Sequence, residues 1–162
     1  MADNLSTHFL LPSEMFYSRE PHLVNTILGS CVSVCLYDTS LHIGGINHYM
    51  LPFWNGMGLA SPKYGNIATE KLIAQMLHLG SKKDNLVAKV FGGAEVINVG
   101  SNTFNIGKRN IEIAISMLRD NNIRILASDT GGNLGRKIQF NTQTGTVMMK
   151  LIQKVLSPTD TN

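Results

Sequence analysis

The chain has 162 residues, 43% of them hydrophobic and 15% charged. That balance supports a sizeable buried core and excludes a disordered chain. With 14 Lys and Arg against 11 Asp and Glu, the formal net charge is +3, and without a long basic run this reads as solvated charge and not as a nucleic-acid footprint. The opening Met1-Ala2-Asp3-Asn4 is polar and acidic, unlike a secretory leader. No apolar run approaches the roughly 20 residues of a membrane span. Both features point to a reducing cytoplasm. The expected organisation is one domain over residues 1–156, followed by a polar tail over 157–162.

In chain order, the stretch up to Pro21 mixes the apolar groups Phe9-Leu10-Leu11 and Met15-Phe16-Tyr17 with Pro and Ser, which predicts short strands. Residues 32–37 alternate and are β-branched. They close at the polar turn Asp38-Thr39-Ser40, and a second apolar run over 43–50 follows, so the pair reads as a β-hairpin. Residues 52–62 hold Asn55, Gly56 and Gly58 and read as a long loop, of a length often tied to function. Residues 66–79 predict a helix capped by Asn66 and stopped by Gly80. Residues 86–91 form a short strand ending at Gly92-Gly93. Asn105 is placed to cap a second helix reaching Asp120, in which Ile113, Ala114, Met117 and Leu118 follow helical spacing. Residues 123–128 form a strand closed by Asp129-Thr130-Gly131-Gly132-Asn133. A final hairpin joins 137–140 to 146–152. The implied fold class is α/β, mixed and α+β-like: layered, mostly antiparallel sheets with two main flanking helices.

The chemistry concentrates in the first hairpin. If Thr39 and Ser40 are its two loop residues, Cys31 stands directly opposite His48, with Cβ atoms roughly 4.5–5.5 Å apart. A one-residue slip would put the two on opposite faces. A thiolate is a nucleophile, and a neighbouring imidazolium favours it. Gly29 and Ser30 let a substrate approach closely, and the Cys31 N–H can serve an oxyanion. The pattern fits acyl transfer from an amide or ester through a thioester. Taken singly, a Cys in an apolar strand or a lone His is more often a packing residue, and Cys35 reads as core. Cys31 and Cys35 would lie about 13 Å apart along a strand at roughly 3.3 Å per residue. A disulfide needs Cα atoms within about 7 Å, so they should not bond. Their spacing does not suit a zinc knuckle and no second Cys pair follows, so no metal or other cofactor is called for. Gly107-Lys108-Arg109 fails as a phosphate-binding loop because Arg109 replaces the needed Ser or Thr and Asn102 the needed Gly. Residues 129–133 read as a tight turn in preference to a phosphate cradle.

Several segments resemble, in order, the motifs of the chemoreceptor glutamine deamidase family, CheD. They are Thr26-Ile27-Leu28-Gly29-Ser30-Cys31-Val32, Asn47-His48-Tyr49-Met50-Leu51-Pro52, Phe91-Gly92-Gly93-Ala94, Asn105-Ile106-Gly107-Lys108-Arg109-Asn110 and Asp129-Thr130-Gly131-Gly132-Asn133. The resemblance runs over residues 9–152. It implies a catalytic domain that hydrolyses glutamine side-chain amides on the cytoplasmic helices of bacterial chemoreceptors, giving glutamate and ammonia. Methyl esters are substrates of some members. The implied fold is a layered α/β arrangement like that of cysteine-dependent toxin deamidases. Neither nucleic acid nor membrane insertion is involved, and a CheC-type phosphatase is an implied partner. Carried onto this chain, Cys31 is the nucleophile and His48 the base, then the acid for leaving ammonia. The family steadies its His with a Thr ahead of the Gly-Ser-Cys. Thr26 matches by type and Asn25 by position, and strand alternation lets only one of them face the His. An alternative reading is a regulatory module that docks on the phosphatase with little hydrolysis of its own. A peptidase of the same mechanism is a third.

Overall fold

The alternation of β4 (Val32–Asp38) shows how the layers form. All of its residues except Tyr37 are buried, as expected of a strand covered on both faces. Val32, Val34 and Leu36 point into one apolar cluster and Cys35 into another. The computed structural model describes residues 5–95 and 105–153, so the polar tail expected at 157–162 lies outside them. The remaining elements are β1 (Ser6–Phe9), β2 (Met15–Ser18), β3 (His22–Leu28), β5 (Ile43–Asn47), α1 (Gly65–His78), β6 (Leu86–Gly92), α2 (Ile106–Asp120), β7 (Arg124–Thr130), β8 (Gly135–Asn141) and β9 (Val147–Ile152).

Two sheets result, a four-stranded one in the order β1-β3-β8-β9 and a five-stranded one in the order β2-β5-β4-β6-β7. Pairing is antiparallel except for β1–β3 and β6–β7. Both helices cover one face of the five-stranded sheet. Ala68, Leu72, Ile73 and Met76 of α1 and Ile113, Ala114 and Leu118 of α2 pack against Val32, Val34, Leu36 and Tyr49. The other face meets the four-stranded sheet through Leu10, Val24, Leu28, Cys35, Ile46, Phe91, Ile138 and Phe140. The fold is thus mixed α/β in three layers, as the periodicity implied. Gly44-Gly45 of β5 sits where the layers press closest. A Cβ on Gly44 would meet the Phe140 ring at 2.8 Å, and one on Gly45 would meet Leu72 and Met76 at 3.0 Å.

The hairpin differs from the expected register. Cys35 pairs with Ile46, Asp38 with Ile43, and Val32 bridges Tyr49, so the turn holds four residues, 39–42, and not two. Asp38 is the cause. Its carboxylate accepts the N–H groups of Ser40 and Leu41, each at 2.8 Å, and its carbonyl accepts that of His42. His42 takes a left-handed φ of 56° to close the turn. The shift is by two positions, so every side chain keeps its face. Cys31 becomes a diagonal neighbour of His48, at a Cα spacing of about 7–8 Å for regular strands.

Two caps also differ. Neither Asn66 nor Asn105 caps its helix through the side chain. Asn66 Oδ1 accepts instead from the Trp54 N–H at 3.0 Å, which pins the 52–62 loop to α1. At α2 the Lys108 N–H donates to Glu95 Oε1 at 3.0 Å, so a carboxylate from outside the helix does the capping.

Candidate active site

Strand β3 puts Thr26 on the face that meets the other sheet, where it is fully buried. Its Oγ1 lies 2.8 Å from the Leu10 carbonyl oxygen and 2.8 Å from His48 Nδ1. A hydroxyl has one proton, and a carbonyl oxygen can only accept. Thr26 therefore donates to Leu10 and accepts from His48. The histidine must carry its proton on Nδ1, which leaves the Nε2 lone pair unprotonated. His48 sits just beyond β5 and is 2% exposed. Its backbone is held from both directions, its N–H by the Glu14 carbonyl at 3.2 Å and its carbonyl by the Ser13 N–H at 2.8 Å. The neighbouring Asn47 turns its amide oxygen to the Val34 N–H at 2.8 Å, standing in for a ladder bond where the two strands part.

Cys31 occupies the turn between β3 and β4 and is half-buried. The turn is gripped from the end of β6. The Gly93 N–H donates to the Cys31 carbonyl at 2.9 Å, and the Ala94 N–H to that of Gly29 at 3.0 Å. Gly92 has a φ of 109°, and a Cβ there would run into the Cys31 carbonyl oxygen, so only glycine fits this close approach. The N–H groups of Ser30 and Cys31 donate to no main-chain acceptor among the described residues.

Burial sets the charge states. It pushes the Cys31 thiol up to about 11, with the residue's own N–H pulling the other way. It pushes His48 down to about 4. Both groups are therefore neutral near pH 7, and no hydrogen bond joins them. The resting state is a thiol and a neutral imidazole. Desolvation disfavours the thiolate and the imidazolium alike. Chemically the arrangement offers a thiol, an unprotonated Nε2 and two N–H groups, of Ser30 and Cys31, that meet no main-chain acceptor among the described residues.

The other residues fall elsewhere. Asn25 faces outward, accepts from Gln139 Nε2 at 3.1 Å, and lines a hollow of about 300 Å³ on the outer face of the four-stranded sheet. Thr26 is thus the one of the two that meets His48. Cys35 is a free thiol, 1% exposed, in the core between the sheets. His8 and His22 both pack on Phe16, and His42 bonds the Tyr37 hydroxyl. Of the 129–133 segment, Asp129 and Thr130 end β7 and only the glycines and Asn133 form the bend, held by buried Arg136, which bonds Asp129 Oδ1 at 2.8 Å and the Gly131 carbonyl at 2.9 Å. Composition and spacing assign no role to Arg136. Nor do they single out the Leu10 carbonyl, which decides the histidine tautomer.

A family profile described as "CheD chemotactic sensory transduction" matches residues 50–151. A protein of Trichlorobacter lovleyi named "Probable chemoreceptor glutamine deamidase CheD" is 50% identical over 142 residues, 88% of each chain. The chain belongs to the CheD family. A like-named CheD protein of Sulfurimonas denitrificans is 48% identical, covering 90% of this chain and 94% of its own. One of Rhodospirillum rubrum is 40% identical, covering 97% and 89%. The profile match opens at Met50, so in this CheD chain Cys31 and His48 both lie upstream of it. Among the described residues, no helix is long and apolar enough to cross a membrane.

Proposed function

We propose that this CheD-family protein hydrolyses the side-chain amide of glutamine on chemoreceptors to glutamate and ammonia, with Cys31 as nucleophile and His48 as its base. One observation carries the chemistry: the Thr26 hydroxyl must accept from His48 Nδ1–H because its own proton goes to Leu10. That leaves Nε2 as an uncharged base on the face shared with Cys31. As the sulfur attacks the amide carbon, Nε2 takes the thiol proton and the carbonyl oxygen becomes an oxyanion facing the Cys31 N–H. The imidazolium then protonates the leaving nitrogen, ammonia departs, and a thioester remains. Nε2 next takes a proton from water, whose oxygen attacks the thioester; the C–S bond breaks, the imidazolium returns the proton to the leaving sulfur, and glutamate departs from the regenerated thiol.

The names of the relatives support a chemoreceptor substrate. So does the loop beyond His48, where Phe53, Met57 and Leu59 are 57%, 77% and 84% exposed. An apolar rim of this kind fits the flank of a protein helix better than a small solute. The protein would act in the cytoplasm, where receptor helices carry those glutamines. The family resemblance alone supports docking on a CheC-type phosphatase. The test follows Gln-to-Glu conversion in a receptor fragment by mass spectrometry. Wild type should convert and Cys31→Ala should not. Equal conversion by Cys31→Ala would remove the assignment. Phosphatase stimulation that survives Cys31→Ala would separate docking from hydrolysis.

A further inference from the structure

We infer that Asn110 is a positioning residue for the proposed reaction, holding the peptide unit that presents the Cys31 N–H and tying the Cys31 turn to the segment that follows His48. The inference rests on the Cys31–His48 reading above. Asn110 lies on the buried face of α2 and is fully enclosed. Its Nδ2 donates to the Ser30 carbonyl and to the Met50 carbonyl, both at 3.0 Å. These acceptors belong to the residue before Cys31 and to the second residue after His48. The Tyr49 hydroxyl donates in turn to the Asn110 main-chain carbonyl. The amide orientation is unambiguous, since both partners are carbonyl oxygens that only an NH₂ group can satisfy. Its Oδ1 has no partner among the described residues, so the two donated bonds alone hold the side chain.

The consequence for Cys31 follows from peptide geometry. The 30–31 peptide is trans, so its C=O and N–H point in opposite directions. With the Ser30 carbonyl turned to α2, the Cys31 N–H is turned away from α2. This N–H meets no main-chain acceptor among the described residues, only its own thiol. The same amide adds a side-chain tie to the Val32–Tyr49 main-chain bonds, 3.2 and 3.0 Å, that join the two strand ends bearing the thiol and the imidazole. No other side chain among the described residues bonds both segments.

The experiment uses the full chain and a receptor fragment carrying the target glutamine. Asn110→Ala should lower kcat about 100-fold with KM within about twofold, the scale of losing one oxyanion donor or of a 1 Å misplacement. Alkylation of Cys31 by iodoacetamide, which builds no oxyanion, should fall less than tenfold. A merely structural loosening would instead expose the thiol and speed alkylation. Wild-type kcat in a cooperatively melting Asn110→Ala overturns the role, as does a loss confined to KM. Should Asn110→Ala fail to fold, Asn110→Gln replaces it, with both donors displaced by one methylene. Reduced kcat at unchanged KM then supports the role, and wild-type kcat overturns it. Full activity in Cys31→Ala overturns the Cys31 reading itself, whereas inert Cys31→Ala beside fully active Asn110→Ala overturns the Asn110 role alone.

Discussion

Thr26→Val tests the geometry most directly. Valine keeps the branched shape and removes only the hydroxyl, which bonds Leu10 O and His48 Nδ1, each at 2.8 Å. Both partners stay buried, His48 being 2% exposed. Leaving each of two buried polar groups unpaired costs about 1–3 kcal/mol, and a buried methyl offsets a little of that, so the expected loss of stability is roughly 2–4 kcal/mol. The activity effect arises from the His48 bond alone. Its loss removes the preference for Nδ1–H. At about 1–3 kcal/mol that preference corresponds to roughly 5–150-fold in the ratio of the two tautomers; without it the productive one falls from nearly all of the population to about half, so kcat should fall at least about twofold. The assay is glutamine conversion followed by mass spectrometry, with urea melts run in parallel. Thr26→Ser restores the hydroxyl and should recover most of both losses. Asn25→Ala should leave kcat unchanged, because Asn25 bonds Gln139 on the outer face. A folded Thr26→Val with kcat equal to that of wild type would refute the tautomer argument.

Three further outcomes are expected. Burial lowers His48 from 6.5 to about 4, so between those pH values the unfolded chain takes up a proton that the folded one refuses. Its contribution to stability is complete above about pH 6.5 and is lost as pH falls through 4, on the order of 3 kcal/mol in all. Urea midpoints of wild type should drop more between pH 7 and 4.5 than those of His48→Gln, and equal drops would contradict the burial effect. With its thiol raised to about 11, Cys31 of the free protein should react slowly with iodoacetamide at pH 7. The rate should climb tenfold per pH unit through pH 9, and a plateau near neutrality would reveal a resting thiolate. Gly92→Ala drives a Cβ into the Cys31 carbonyl at a φ of 109°, so the thermal midpoint should fall by the equivalent of about 2–4 kcal/mol. An unchanged melt would show that the 29–31 turn can move aside.

Local pattern made the elements legible. The β-branched run before Asp38, the helical spacing of Ile113, Ala114 and Leu118, and the glycines at 80, 92 and 93 mark elements that stand close to where they were expected. The caps were less legible, because α1 begins at Gly65, one residue before the expected cap, and Asn66 in its first turn spends its side chain on Trp54. The hairpin register also escaped, since a two-residue and a four-residue turn present the same alternation. The choice between them lies with the bonds from the Asp38 carboxylate to Ser40 and Leu41.

For the site, the sequence by itself proposed Cys31 and His48 and determined which face of the hairpin they share, because alternation has period two and a shift by two leaves faces unchanged. Only the tertiary structure decided how that chemistry is held. Thr26 meets His48 because the four-stranded sheet lies across the five-stranded one, and Asn25 turns outward by the same alternation. The Ser30 turn and the Met50 segment converge on Asn110 because α2 packs behind both. The depth of that packing raises the thiol and lowers the imidazole from their ordinary values. These are contacts between segments 20 or more residues apart in the chain, and the residues that make them announce themselves in no local pattern.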